Sequence, residues 1–199
     1  MAVEVILPDS GRVEVTDTYR PRGRALNGVG DSVAAQLYWS SLDTGIIAVL
    51  DSTTGISLAK VVASGRLQAR VGALPSNPQS VAVLAKLDSL RVAGETRHTV
   101  FLPDSLSDSL RVQAFATGGA AVSRRVVYAA TIYPASGPVI TLLPNDSVLT
   151  NSAGVGFVRV KMLVGSIPDS VVVTANMKRL DGSVIPDSVT FVVEFRGGP

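Results

Sequence analysis

Apolar and polar residues alternate along most of this 199-residue chain. Val189, Phe191, Val193 and Phe195 fall on one side of a period of two, with Thr190, Val192 and Glu194 on the other. Val158, Val160 and Met162 alternate with Arg159 and Lys161, and Leu67, Ala69 and Val71 with Gln68 and Arg70. Val126, Tyr128, Ala130 and Ile132 make another such set, and Val33, Ala35, Leu37 and Trp39 a further one. Successive side chains of a strand point to opposite faces, so the pattern predicts half-buried strands in antiparallel sheets. Helical periodicity is missing from every longer segment, and Glu, a helix-favouring residue, occurs only four times.

Turn chemistry separates the runs. It is concentrated in Leu26–Ser32, Ser52–Ser57, Ala73–Ser80, Thr117–Ser123, Pro134–Pro138 and Arg179–Val184. Ile-Pro-Asp-Ser occurs twice near the end, at Ile167–Ser170 and Ile185–Ser188, each time before a Val-rich run. Pro cannot donate to a sheet ladder, so it belongs just outside a strand, where Asp and Ser can cap free amides. With Asp181-Gly182 between them, the two copies predict a closing hairpin of Val171–Met177 with Val184–Phe195. About fourteen short strands with such turns indicate β-sandwiches. The length suits two domains, placed at residues 1–88 and 89–199. Leu87–Val92 could close the first or open the second.

Composition narrows the function classes. The chain is 46% hydrophobic and 17% charged, which argues against disorder. It has no cysteine, so disulfides, thiolate metal sites, a Cys nucleophile and a lipidated Cys are excluded. Eighteen basic and sixteen acidic residues leave a net charge of +2, a mixed surface rather than a nucleic-acid footprint. No apolar run reaches the ~18 residues of a membrane span. The N-terminal residues lack the basic and apolar regions of a secretory signal. They read as a strand beginning at the second residue, in a chain that either is not exported by that route or is numbered without its leader.

Tyr38–Gly72 contains Trp39-Ser40-Ser41, Ile47-Ala48-Val49 with Asp51, then Gly55, Ala59, Ala63, and Gly65 before an alternating run. This resembles the bacterial immunoglobulin-like domain of group 2, departing from its pattern at Leu50 and around Pro21. Leu149–Met177 is similar, more loosely, to the invasin/intimin type, group 1, through Thr150, Gly154, Val158, Thr174 and Ala175. The resemblance implies an all-β chain of two tandem immunoglobulin-like antiparallel β-sandwiches. It places Trp39 in a core and carries over no catalytic residue. Both families supply the stalks, spacers and binding tips of adhesins, surface proteins and virions.

The candidate chemistry is sparse. Nine of twelve Asp are followed by Ser and two by Thr. Asp oxygens suit Ca²⁺, but no EF-hand spacing is present and the pairs are dispersed, so turn capping is the expected role. The lone His98 has no Gly-x-Ser-x-Gly partner motif, and Glu4, Glu14, Glu95 and Glu194 lack a shared pocket signature. Thr117–Ser123 is Gly-rich without the ending of a phosphate loop. No cofactor, metal or catalytic residue is therefore expected. The densest charge run is Tyr19–Arg24, where Arg20, Arg22 and Arg24 would share one face of a strand, an edge blunted by charge and by Pro21. They form a candidate docking patch for an acidic partner, a lipid head group or a polyanionic glycan, with Arg124 and Arg125 as a second candidate. Aromatic platforms for sugar stacking are not evident.

The expected role is a non-enzymatic structural or docking protein that braces a larger bacterial assembly. Two modules without an anchor suit an extrinsic accessory subunit of a membrane complex, in the periplasm or at the cell surface. Its Asp-Ser-rich composition resembles extrinsic polypeptides of some photosynthetic reaction-centre–antenna complexes. The alternative is a phage virion decoration or tail protein, or an adhesin module binding a glycan or other polyanion. Partners would be other proteins of the complex, with no nucleic acid and only peripheral membrane contact.

Overall fold

A computed structural model of the chain describes residues 1–135, 139–164 and 168–197, with backbone alone at residue 164. The chain is all-β: among the described residues there are twenty-one strands and one 3₁₀ turn at Pro8–Ser10. The excess over the fourteen expected from sequence comes from two- and three-residue strands, too short to show alternation. Two compact units comprise Met1–Lys86 and Leu87–Pro199.

The first unit contains β1 (Ala2–Ile6), β2 (Arg12–Glu14), β3 (Thr18–Tyr19), β4 (Arg22–Leu26), β5 (Ser32–Val33) and β6 (Tyr38–Ser41). After these come β7 (Ile47–Val49), β8 (Ser57–Ala59), β9 (Ala63–Val71), β10 (Leu74–Pro75) and β11 (Gln79–Leu84). They form sheets β1-β4-β5, β3-β8-β7 and β10-β9-β11-β2, with β6 also on β9. Val13, Tyr19, Ile47, Ala59, Leu67, Val81 and Val83 make its core. Trp39 is buried, as its place in the Trp-Ser-Ser motif implies. Val33–Trp39, expected as one strand, is two short strands in different sheets. Ala35 is exposed and Val33 and Leu37 are only half-buried, so of that set Trp39 alone is a buried core residue.

The second unit contains β12 (Leu87–Val92), β13 (Arg97–Phe101), β14 (Leu110–Ala116), β15 (Gly119–Ala120) and β16 (Arg125–Tyr133). It ends with β17 (Val139–Leu143), β18 (Ser147–Leu149), β19 (Val155–Val164), β20 (Ser170–Met177) and β21 (Val189–Arg196). One sheet runs β12-β14-β19-β17 with β15 beside β14, and the other β13-β21-β20-β16-β18. The strand Leu87–Val92 pairs with β14 and so belongs to this unit. Alternation decides which side of each strand is buried. Val189, Phe191, Val193 and Phe195 are all buried, as are Val171, Val173, Ala175 and Met177 on the neighbouring strand. Leu110, Val112, Ala114, Val158 and Val160 supply the opposing sheet. At the ~25 cal/mol per Å² of apolar burial, these facing rows dominate the unit's stability.

The closing hairpin has a longer connection than the sequence suggests. Ser170 pairs with Glu194 and Ala175 with Val189, so the second strand starts at Val189 rather than Val184. Val184 makes only an isolated bridge to Lys178, around the Asp181-Gly182 turn with Gly182 at φ +87°. There the Asp181 carboxylate accepts from the Ser183 amide at 2.8 Å and the Ser183 hydroxyl at 2.6 Å. Pro168 and Pro186 both lie just outside their strands, as Pro requires. Ile167 of the first copy and most of the Pro134–Pro138 turn lie outside the described residues. Since the strands are antiparallel, Asp169 and Asp187 lie beyond opposite ends of the paired stretch Ser170–Ala175, which is itself about 17 Å long at ~3.4 Å per residue. Among the described residues, neither side chain makes the capping hydrogen bond expected of it.

Candidate docking surfaces

The Arg-rich run does not form one strand. Thr18–Tyr19 pairs in one sheet and Arg22–Leu26 in another, so Arg20 lies in the break between them. Pro21, buried at that break, prevents the ladder from continuing. Arg22 and Arg24 do share the exposed face of β4, which is the middle strand of its sheet and not an edge. Arg24 is directly opposite Glu4 and forms an ion pair with it, which reduces its availability to a partner. The expected row of three Arg on one strand face is thus corrected: Arg22 and Arg24 share a face, Arg24 is paired with Glu4, and Arg20 lies outside the strand.

Arg124 is removed from the candidate patch altogether. It is 5% exposed and sits where the chain enters β16. Its amide donates to the Thr150 hydroxyl at 2.9 Å, and its carbonyl accepts from the Thr150 amide at 2.9 Å. The same hydroxyl donates to the Ala121 carbonyl. Arg125, one residue on, is exposed at the start of β16. Consecutive residues face opposite ways, so an Arg-Arg pair could not present both side chains from one strand face.

His98 is on β13, the edge strand of its sheet, and pairs in register with the buried Val193. Its ring Nε2 lies 3.0 Å from the Glu95 carbonyl. Glu14 is fully buried on β2, a placement that no periodicity announced. Among the described residues, no three His, Asp or Glu side chains gather in a metal-like cluster. Among the Asp-Ser/Thr pairs, Asp51 makes the expected turn cap: its carboxylate accepts from the Thr53 and Thr54 hydroxyls, each at 2.7 Å, and from the Thr53 amide at 2.8 Å. Those bonds, led by the Thr54 hydroxyl, hold its pKa down at about 2.

The two sheets of the second unit expose faces of different chemistry. Between Arg125 at one end and Glu194 and Arg196 at the other, the outer face of β16, β20 and β21 carries Val127, Ala129, Thr131, Tyr133, Val172, Thr174, Asn176, Thr190 and Val192, all uncharged. Val127 is 46% exposed and Tyr133 51%. At its β13 side, Phe101 is 52% exposed, and Glu194 pairs with both Arg97 (3.7 Å) and Arg196 (2.6 Å). That border thus carries two Arg against one Glu, a net charge of +1, and Arg125 adds a further positive charge at the start of β16.

The outer face of β12, β14 and β19 is basic. Arg91 is opposite Gln113, Arg111 opposite Phe157, and Arg159 lies two residues beyond Phe157 on the same side. Lys161 follows on that side, since Val158 and Val160 point into the core. These four cations form a diagonal band across three strands. Among the described residues none of them is in an ion pair. Arg91 lies 5.4 Å from the centroid of the Phe115 ring, and Arg159 Nε donates to the Ser109 hydroxyl at 3.1 Å. A shallow concavity of about 300 Å³ beside the band is lined by Ala93, Gly94, Asp108, Ser109, Arg111 and Arg159. Phe157, 46% exposed, lies opposite Arg111 and two residues before Arg159, and supplies an aromatic surface that the sequence did not show. Sequence reading sought runs of adjacent charges, whereas this band is assembled by strand register from positions 91 to 161.

No protein-family model and no curated protein matches the chain. Solved structures with a similar arrangement include the Yersinia pseudotuberculosis adhesin InvE, at 17% identity and TM-score 0.41, covering 95% of this chain and 58% of the adhesin chain. Domains 4 and 5 of the S-layer protein SbsC give 11% identity and TM-score 0.38, with 98% of each chain covered. The native conformation of E. coli alpha-2-macroglobulin gives 11% identity and TM-score 0.37, over 96% of this chain and 14% of that one. The chain thus spans a little over half the length of the adhesin it resembles. Likenesses at this level transfer no activity or partner. Among the described residues, no helix is long and apolar enough to cross a membrane.

Proposed function

We propose that the chain is a non-catalytic structural and docking protein that braces a larger bacterial assembly at or outside the cell surface. The observation that carries this reading is the uncharged middle of the outer face of β16, β20 and β21, with Val127, Tyr133 and the adjoining Phe101 about half exposed. A weakly polar surface with its charges at the rim is the character of a protein–protein contact. The resemblance of both halves to immunoglobulin-like modules agrees with it. A photosynthetic complex as the assembly gains no support from the structures named above. The test is association of the full chain with its native extract, read for the natural sequence and for Val127→Lys with Val172→Lys. Co-fractionation that is lost in the variant, at an unchanged unfolding midpoint, supports the reading. A natural chain that runs alone, or a variant that associates equally well, contradicts it.

A further inference from the structure

We propose that the opposite, basic face of the second unit binds an acidic polysaccharide across Arg91, Arg111, Arg159 and Lys161. Diagonal neighbours on adjacent strands are roughly 7–8 Å apart, so Arg91, Arg111 and Arg159 with Lys161 make a band about 20 Å long. Like charges at this spacing repel one another. None of the four has an acidic partner among the described residues, so a chain of carboxylates or sulfates would neutralise what the fold leaves unneutralised. Guanidinium groups suit both anions through paired N–H donors.

Two further features favour a sugar chain over other polyanions. Phe157 is exposed directly opposite Arg111 and two residues before Arg159, where the apolar face of a sugar ring can lie on it. The concavity at Arg111 and Arg159 is also lined by Asp108 and Ser109, side chains that hydrogen-bond to sugar hydroxyls. This site is separate from the docking face proposed above and does not depend on its role.

The experiment is affinity electrophoresis of the full chain in gels containing polygalacturonate, heparin, neutral dextran, single-stranded DNA or polyglutamate. Retardation by polygalacturonate or heparin, and not by dextran, is expected, and the stronger of the two identifies carboxylate or sulfate as the recognised group. Arg111→Gln with Arg159→Gln is expected to weaken it about tenfold or more, and raised salt to weaken it further. Arg20→Gln with Arg22→Gln, outside the band, is expected to leave it unchanged. Phe157→Ser is expected to weaken sugar binding several-fold with no change in salt dependence, a readout that charge alone does not move, and this variant keeps the test decisive if the double Arg variant fails to fold. Absence of retardation by either acidic polysaccharide overturns the proposal. So does equal retardation of the natural and variant chains, or stronger retardation by DNA or polyglutamate than by both polysaccharides.

Discussion

Gly55 rests against the indole of Trp39 so closely that a Cβ at this position would lie 3.0 Å from Cδ1, Cε2 and Nε1 of the ring. Gly55 also has φ +77°, a conformation that L side chains rarely adopt. The turn it ends is held by Asp51, whose carbonyl accepts the Gly55 amide at 2.9 Å. The Trp-Ser-Ser, Asp and Gly of the sequence motif are therefore one packing unit. Gly55→Ala is expected to destabilise the first unit by about 2–4 kcal/mol, combining left-handed strain with overpacking of a buried ring. Chemical denaturation followed by Trp fluorescence measures it, and a change below about 0.5 kcal/mol would show that the ring is free to yield.

Thr150 connects the loop before β16 with the end of β18. Its hydroxyl serves the Arg124 amide and the Ala121 carbonyl from a buried position. Thr150→Val keeps the shape and removes both bonds. Leaving buried backbone groups without that partner is expected to cost about 1–3 kcal/mol. Thr150→Ser, which retains the hydroxyl, is expected to recover most of the loss in the same denaturation assay.

Tyr128 and Tyr19 make stability fall in alkali. Burial raises both phenol pKa values far above the ordinary 10, with Asp9 adding to the effect at Tyr19. Below pH ~10 folded and unfolded chains both keep these protons, so the contribution is constant. Above it the unfolded chain releases them and the folded chain does not, so stability declines as pH rises. Tyr128 has no hydrogen-bond partner for its hydroxyl among the described residues, whereas Tyr19 donates to the Pro8 carbonyl at 3.0 Å. Tyr128→Phe is expected to raise stability at pH 7 by about 1 kcal/mol and to flatten the decline above pH 10. Tyr19→Phe flattens the decline but lowers stability at pH 7. Unfolding midpoints from pH 7 to 11 separate the two.

The sequence carried the fold through strict alternation. The faces of Val189–Phe195, Val158–Met162 and Leu67–Val71 follow directly from period two, because burial of one face is all that such strands require. Pro168 and Pro186 marked strand starts for an equally local reason. What the sequence did not disclose depends on which strands lie side by side. Arg20 and Arg22 are close in the chain, but Arg20 falls in the break between two sheets and only Arg22 enters β4. Arg124 looked exposed because charge normally is, and only the Thr150 contact shows why its segment is drawn inward. The basic band and the uncharged patch on β16, β20 and β21 both arise from register between strands tens of residues apart, which no window along the chain contains.

Hydroxyl-radical footprinting of Phe101, Val127 and Tyr133 in the native extract, compared with the purified chain, tests the docking role most directly. The expected result is reduced labelling of all three in the extract, with labelling of the exposed Val29 in the first unit unchanged. Equal labelling of Phe101, Val127 and Tyr133 in extract and purified chain would contradict it.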